Sequence, residues 1–434
     1  MVYFCNTNFL KLQSRIREGL LFSFFSLAIL FVLHHIPFNQ LFIDPFSEAI
    51  KNHDVTDIAL SDFREKTQAD FDKRVFIINS GITNRNEIYK ITDYLLRHHV
   101  KVIGIDILFD SLEHKGIDTL LASQFADDRV ILGYTFERNN HDVSPSSDEK
   151  RIDTLHRSHA FFSDNATESY VNLGSNDGFA VRTFNPLIHV DSIDYLSFGL
   201  SLALKYDSTV LTDIKTRNND KEWINYRRLQ PGRVNFIYPI NSKHLTHYNT
   251  ISSNKFLADT IKFPDDYFQN KIVLIGFMGE NEKALSMNDR YYTPLNEQNI
   301  GKSLPDMYGV VIHANIISML LNRDFIDDVP ENILYLIAFF VFFINYFIID
   351  YLTQKKLFLT TLTVRLVQVF EFILLLTTCI ILLAHFNIKL GFIMNITAVV
   401  LSLELFEFFN HKLKPKVEKY YNILLEKLKE PNSA

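Results

Sequence analysis

The chain has 434 residues and a formal net charge of −6; 47% of it is hydrophobic and 14% aromatic, with 39 Phe. That length suits one large domain plus membrane segments, and the Phe surplus, gathered into a few apolar blocks, points to lipid rather than to a larger soluble core. The acidic balance argues against a nucleic-acid binder, which needs a basic surface. The two cysteines, Cys5 and Cys379, both lie outside the long polar middle, so that region has no disulfide framework.

The first apolar block covers residues 19–38, after a short cytoplasmic stretch at 1–18. No small-residue cleavage site follows it, and His34, His35, Ile36 and Pro37 are poor cleavage context, so it reads as an uncleaved anchor. Residues 39–330 form the polar middle. Three further apolar blocks, 331–350, 366–386 and 391–409, each approach the roughly 20 residues that span a bilayer. Residues 351–365 form a loop, and 410–434 a basic helical tail. Lys11, Arg15 and Arg17 precede the first block, Lys355, Lys356 and Arg365 lie in the loop, and Lys412, Lys414, Lys416, Lys419, Lys427 and Lys429 follow the last block. By the loop-charge rule both termini are then cytoplasmic and residues 39–330 extracytoplasmic. With no cysteine outside, a bacterial inner membrane is the expected location.

The middle alternates strand-like and helix-like stretches. Arg74–Asn79 is a β-branched run ending at a Ser80-Gly81 turn. Asn84–His99 carries Ile88, Ile91, Leu95 and Leu96 at helical spacing, with Asn84 as N-cap. Lys101–Phe109 is apolar almost throughout, as expected of a strand buried on both faces of a parallel sheet. A helix at Leu112–Phe125 and a strand at Arg129–Phe136 follow. Residues 137–170 read as a surface loop with a polar cluster at 139–147, 171–190 as hairpin material, Tyr195–Tyr206 as a helix, and Asp213–Trp223 as a charged insertion. Arg233–Pro239 reads as a strand, Ser252–Lys262 as at least partly helical, Lys271–Gly276 as a buried strand, and Gly309–Asn322 as a helix. The predicted class is α/β: a largely parallel or mixed sheet flanked by helices, plus about four transmembrane helices.

Three pieces of this region carry a family resemblance. They are Gly104-Ile105-Asp106-Ile107-Leu108-Phe109; Lys271-Ile272-Val273-Leu274-Ile275-Gly276 followed by Asp289 and Tyr292-Thr293-Pro294-Leu295; and Tyr308-Gly309-Val310-Val311-Ile312-His313-Ala314-Asn315. Together, with one helix before the domain and about three after it, they resemble the CHASE2 extracytoplasmic sensor-domain family of bacteria over about residues 40–410. The resemblance implies sensing outside the membrane with output to a cytoplasmic kinase or cyclase. Two departures stand out. The polar, acidic patch usual after the first strand is here Asn79-Ser80-Gly81, and the tail after Phe409 carries no catalytic domain, so output is expected in trans through a separate partner.

Candidate ligand-binding residues are Asp106, Gly276, Asp289, Thr293, His313 and Asn315. Asp106 is a carboxylate in an apolar strand, which must be paired, hydrogen-bonded or neutralised. It reads either as a ligand or cation contact at the carboxyl end of a strand, or as a group tying down the next turn with Asp110 and Ser111. Gly276 permits close backbone approach or simply a turn. Asp289 and Thr293 sit in a loop able to close over the same sheet edge. His313 is placed to meet Asp106, and Asn315 to bind or to join a polar network in the core.

In the membrane part Arg365, Glu371 and Glu404 are candidates for coupling to a partner, because ionisable groups at membrane depth are costly; snorkelling is the alternative. Val417, Tyr420, Tyr421, Leu424, Leu425 and Leu428 give the tail an apolar stripe suited to a protein partner or anionic lipid. Gly301-Lys302-Ser303 lacks the earlier glycine of a P-loop. With no H-E-x-x-H, no closely spaced Cys/His set and no Gly-x-Ser-x-Gly, no enzyme, metal or cofactor is expected. The expected partners are an unknown small-molecule or protein ligand outside, a cytoplasmic or membrane protein in trans, and the bilayer, with no nucleic acid. A homodimer is compatible with this reading; the runner-up is a scaffold subunit of an envelope complex, and a third, weaker reading is an extracytoplasmic hydrolase or transferase using Asp106 and His313.

Overall fold

The computed structural model describes residues 2–35, 55–60, 72–137, 152, 154–173, 180–190, 192–227, 248–258, 262–280, 286–296, 304–355, 359–417 and 419–420. The chain divides into two compact units, one of Met1–Glu48 with Asp327–Ala434 and one of Ala49–Ile326.

The second unit is an α/β sheet domain. Its sheet has seven strands: β1 Val75–Asn79, β2 Val102–Asp106, β3 Val130–Glu137, β4 Thr154–His156, β5 Thr167–Tyr170, β6 Asn249–Ser252 and β7 Ile272–Gly276. Four helices matter to the site: α1 Arg85–Arg97, α2 Lys115–Phe125, α3 Phe198–Tyr206 and α4 Gly309–Asn322. The strand order is β6-β1-β7-β2-β3-β4, with β5 also paired to β3. All pairings are parallel except β3 with β4.

The apolar runs behave as a doubly covered parallel sheet requires. Val75, Ile77, Val102, Ile272 and Leu274 pack in one core with residues of α3 and α4. Their neighbours Phe76, Ile78, Ile103, Ile105, Val273 and Ile275 pack in a second core with Ile88, Ile91 and Leu95 of α1 and Leu121 and Phe125 of α2. The period-2 alternation of strand side chains thus feeds two cores at once. Helix α1 starts as its sequence predicts: the Asn84 side chain accepts from the Glu87 N–H and the Glu87 side chain accepts from the Asn84 N–H, a capping box.

Several expectations need correction. Part of the supposed surface loop at 137–170 holds β4, the short helix Ala160–Ser163 and β5. Thr167–Tyr170 is too polar to announce a strand, but the free edge of β3 pairs it from Ile131 to Tyr134. The hairpin runs later than expected, from Leu187–Val190 to Ile193–Leu196. The third helix therefore begins at Phe198 rather than Tyr195, with Ser197 as its cap. The charged insertion contains the helix Val210–Arg217 and the strand Glu222–Trp223, closed by a pair between Arg217 and the buried Glu222. The stretch 252–262, read as at least partly helical, holds a helix at Ser253–Leu257, residues 259–261 lie outside the described residues, and Asn249–Ser252 before it is strand β6. The expected strand at 233–239, the polar cluster at 139–147 and Gly301-Lys302-Ser303 lie outside the described residues.

The first unit has four helices long and apolar enough to cross a membrane: Leu12–His35, Glu331–Gln354, Thr360–Phe386 and Phe392–Val417. Phe22 of the first is fully buried, with ring centroids 6.1 Å from both Phe342 and Phe406 and 5.6 Å from Tyr346. Polar bonds join the same helices. Glu18 accepts from Tyr346 Oη at 2.9 Å and from Lys414 Nζ at 2.7 Å, and Arg15 pairs with Asp350 at 2.6 Å. The fourth helix continues through Val417, so Lys412, Lys414 and Lys416 extend it; Tyr421, Leu424, Leu425 and Leu428 of the expected apolar stripe lie outside the described residues.

One buried ion pair fixes the turn that follows β2. Arg85 Nη1 donates to Asp118 Oδ1 at 2.6 Å and Nη2 to the Ser111 carbonyl at 2.5 Å, while Asp118 Oδ2 accepts from the Glu113 and His114 N–H groups. Both side chains are buried. Arg85→Met should leave Asp118 buried with no counter-charge and cost about 3–5 kcal/mol in a denaturant melt, whereas the double replacement with Asp118→Leu should recover most of that loss. An equal loss in both variants would show that the pair is not the source of the stability.

Candidate functional site

The carboxyl ends of the parallel strands meet at one edge, where open α/β sheets form ligand crevices. The register sets Asn79 of β1, Gly276 of β7 and Asp106 of β2 side by side. Each has a separate task. Asn79 Oδ1 accepts from the N–H groups of Met278 (2.7 Å) and Gly81 (3.0 Å), and its Nδ2 donates to the Gly279 carbonyl at 3.0 Å, so one side chain ties the turn after β1 to the loop after β7. Gly276 is where α4 comes closest. A Cβ there would lie 2.9 Å from Val310 Cβ and 3.3 Å from Asp106 Cβ. That spacing leaves room for nothing larger than glycine.

Asp106 itself is partly buried and lines a cavity of about 470 Å³ with Thr135, Val171, Asn172, Leu173, Phe277, Asp289, Tyr291, Gly309 and His313. Its side chain makes no hydrogen bond among the described residues, so it does not tie down the turn at Asp110 and Ser111; Arg85 and Asp118 do that. Burial pushes its carboxyl up to about 7, with the nearby Asp289 charge adding to the shift.

Asp289 reaches the cavity from the loop between β7 and α4. Its backbone is left-handed, with φ 54, a conformation that Asp tolerates better than most residues. Its carbonyl accepts from the Gly309 N–H at 3.0 Å, and its carboxylate takes hydrogen bonds from the Tyr291 hydroxyl and from the Gly309 N–H. Asp289 therefore sits on the N-terminus of α4, a natural seat for an anion. Burial outweighs these donors and still raises it to about 6.

His313, on the second turn of α4, is 2% exposed. Burial lowers its imidazole to about 4, so the ring is neutral near pH 7; it bonds to the Val171 carbonyl and packs edge-on against Phe198 at 5.2 Å. Its Nδ1 has no partner among the described residues. His313 shares the cavity with Asp106, although no hydrogen bond links the two.

The remaining candidates lie elsewhere. Thr293 is buried and serves Asp306, with its N–H at 2.8 Å and its hydroxyl at 2.5 Å from that carboxylate. Asn315 is a satisfied core amide: Nδ2 donates to the Val311 carbonyl at 2.9 Å, and Oδ1 accepts from the Arg227 N–H and the Tyr248 hydroxyl, both at 3.3 Å. Neither lines the cavity. Conversely, Thr135, Asn172, Phe277 and Tyr291 line it without having been singled out. Asn172 and Phe277 lie just past the ends of β5 and β7, Thr135 lies near the end of β3, and Tyr291 follows Asp289 in the loop after β7, so only the strand order shows that they meet.

In the membrane unit Arg365 pairs with Glu404 and also donates to Gln368 Oε1 at 2.9 Å, while Gln368 Nε2 donates to the Val399 carbonyl at 2.9 Å. Glu371 instead accepts from Asn345 Nδ2 at 3.1 Å. The two glutamates thus tie the third helix to different neighbours.

The cavity has a pH signature. Asp106 titrates at about 7 in the native chain against 3.8 when free, so the native state holds the extra proton between these values. The stability contributed by this proton is then fully present at low pH, falls as pH rises through that window, and is gone above about 7. His313 acts in the opposite sense from 6.5 down to about 4, where acidification destabilises. Asp106→Asn should raise the thermal midpoint relative to the parent most at about pH 8, with the gap shrinking toward about pH 4. A gap independent of pH would mean that the carboxylate is not desolvated.

The CHASE2 domain model matches residues 27–347, most of the chain, and no other family is matched. Searches of curated proteins and of solved structures found no match. CHASE2 domains are extracellular and of the sensor type, sensory rather than catalytic. With four helices able to cross a membrane, and with the match running from the first of them through the sheet domain into the second, the chain belongs to the CHASE2 family of membrane sensor proteins.

Proposed function

We propose that this protein detects an extracytoplasmic ligand in the Asp106–Asp289–His313 cavity and passes the signal through its C-terminal helices to a separate cytoplasmic partner, without catalysing a reaction itself. The observation that carries this reading is the cavity: polar groups from β2, β3, the loop after β7 and α4 converge at the carboxyl edge of a parallel sheet. The loop charges favour the orientation, with both termini inside a bacterial inner membrane and the sheet domain outside.

A ligand drives such a switch only by its differential affinity for two states. Full reversal of a population from 1:99 to 99:1 needs a difference of about 10⁴-fold. The hydrogen bonds of the membrane unit are discrete enough to have alternative arrangements. Glu18 with Tyr346 and Lys414 joins helices that are far apart in sequence, and Arg365 with Glu404 joins the last two.

The test is a crosslinked pull-down of the intact protein from its own membranes, beside a version ending at Asn410. Recovery of a cytoplasmic kinase, cyclase or protease with the intact chain alone is the expected result. Recovery of the same envelope proteins by both versions, with no cytoplasmic partner, would make the outer domain a scaffold.

A further inference from the structure

We propose that the cavity takes a small organic cation, a protonated amine that donates hydrogen bonds to Asp106, Asp289 and His313. The inference rests on the ligand-binding reading above and adds the ligand's chemical class.

The first argument is a count of donors and acceptors. Ten of the described residues line the cavity, and none of these is Lys or Arg. Asp106 receives no hydrogen bond among the described residues, and the donors that reach Asp289 are already committed to it. A desolvated carboxylate without a counter-charge must find a cation or take up a proton.

The second observation is independent of the carboxylates. His313 is neutral near pH 7 and 2% exposed, and its Nδ1 has no partner among the described residues. Because the ring bonds to the Val171 carbonyl, the N–H belongs on Nε2, and Nδ1 is left as a bare lone pair. Two carboxylates and one imidazole nitrogen are all acceptors, so the complementary ligand group is a donor of several hydrogen bonds.

An ammonium supplies three N–H donors and a positive charge. An anion is disfavoured, because the anion seat at the start of α4 is already filled by Asp289. A divalent metal ion fits less well, since no group of three or more His, Cys, Asp or Glu among the described residues is placed to hold one. Tyr291 and Phe277 add aromatic surface of the kind that favours organic cations, and about 470 Å³ suits a small molecule.

The experiment is calorimetric titration of the full-length protein in nanodiscs near neutral pH. The probes are n-butylamine and 1,4-diaminobutane, with butan-1-ol, succinate and calcium chloride as controls. Saturable binding of the amines, weakened about tenfold or more by Asp106→Asn and by Asp289→Asn, is the expected outcome. Should Asp289→Asn fail to fold, Asp106→Asn decides, because the Asp106 side chain holds no other group in place. Absence of amine binding, or amine binding indifferent to Asp106→Asn, overturns the proposal. Binding of succinate, butan-1-ol or calcium in place of the amines, sensitive to Asp106→Asn, also overturns the amine class but leaves a ligand-binding cavity. The sensor reading fails separately, through the pull-down.

Discussion

The insertion of β7 between β1 and β2 is the constraint on which the domain depends. Its five residues are all buried, and each is paired on both sides. Without β7, β1 and β2 would each expose an unpaired edge inside the protein, where unmet backbone groups are costly. The same insertion brings Gly276 level with Asp106 and delivers the loop after β7, with Asp289 and Tyr291, to the end of β2. A pairing that completes the core therefore also assembles the cavity.

Around that edge the structural polar work is done by residues other than Asp106. The turn after β2 is held by Arg85 and Asp118, and the loop after β7 by Asn79. A comparison with Asp306 is instructive. Burial raises that carboxylate to about 6 as well, but Thr293 gives it both an N–H and a hydroxyl. Asp306 reads as a satisfied structural group. Asp106 has burial without donors, which is the profile of a group waiting for a ligand or a proton rather than of one holding the fold.

The membrane unit follows different physics. Its helices pack through aromatic rings about Phe22, and several ionisable groups are bonded across helices: Glu18 with Tyr346 and Lys414, Arg15 with Asp350, Arg365 with Glu404, and Glu371 with Asn345. In an apolar surrounding such bonds fix which helices are neighbours, because an unpaired charge there is expensive. The unit thus has both the apolar surface to enter a bilayer and specific polar contacts between its helices.

Local chemistry was enough to determine much of this protein. Apolar length marked the four spans, and apolar runs marked β1, β2 and β7 as strands, with β2 read as buried on both faces. Asn84 announced the start of α1, and Gly309–Asn322 was read with its observed bounds. Each of these is a short-range property, set by spacing, capping or transfer of side chains from water. Asp106, Asp289 and His313 were also legible, since a charged or titratable group in or beside an apolar run has to be accounted for. The tertiary structure alone decided what those residues do together. Thr293 and Asn315 carried the same kind of signal, yet long-range contacts with Asp306, Arg227 and Tyr248 turned them into core groups. The strand β5 formed in a polar segment because β3 had an edge to offer, and Tyr195 joined a hairpin because Ile188 lay opposite it. Strand order, and with it the meeting of Asp106 and Asp289 from positions far apart in the chain, depends on which edges pair in space, and neighbouring residues carry no information about that.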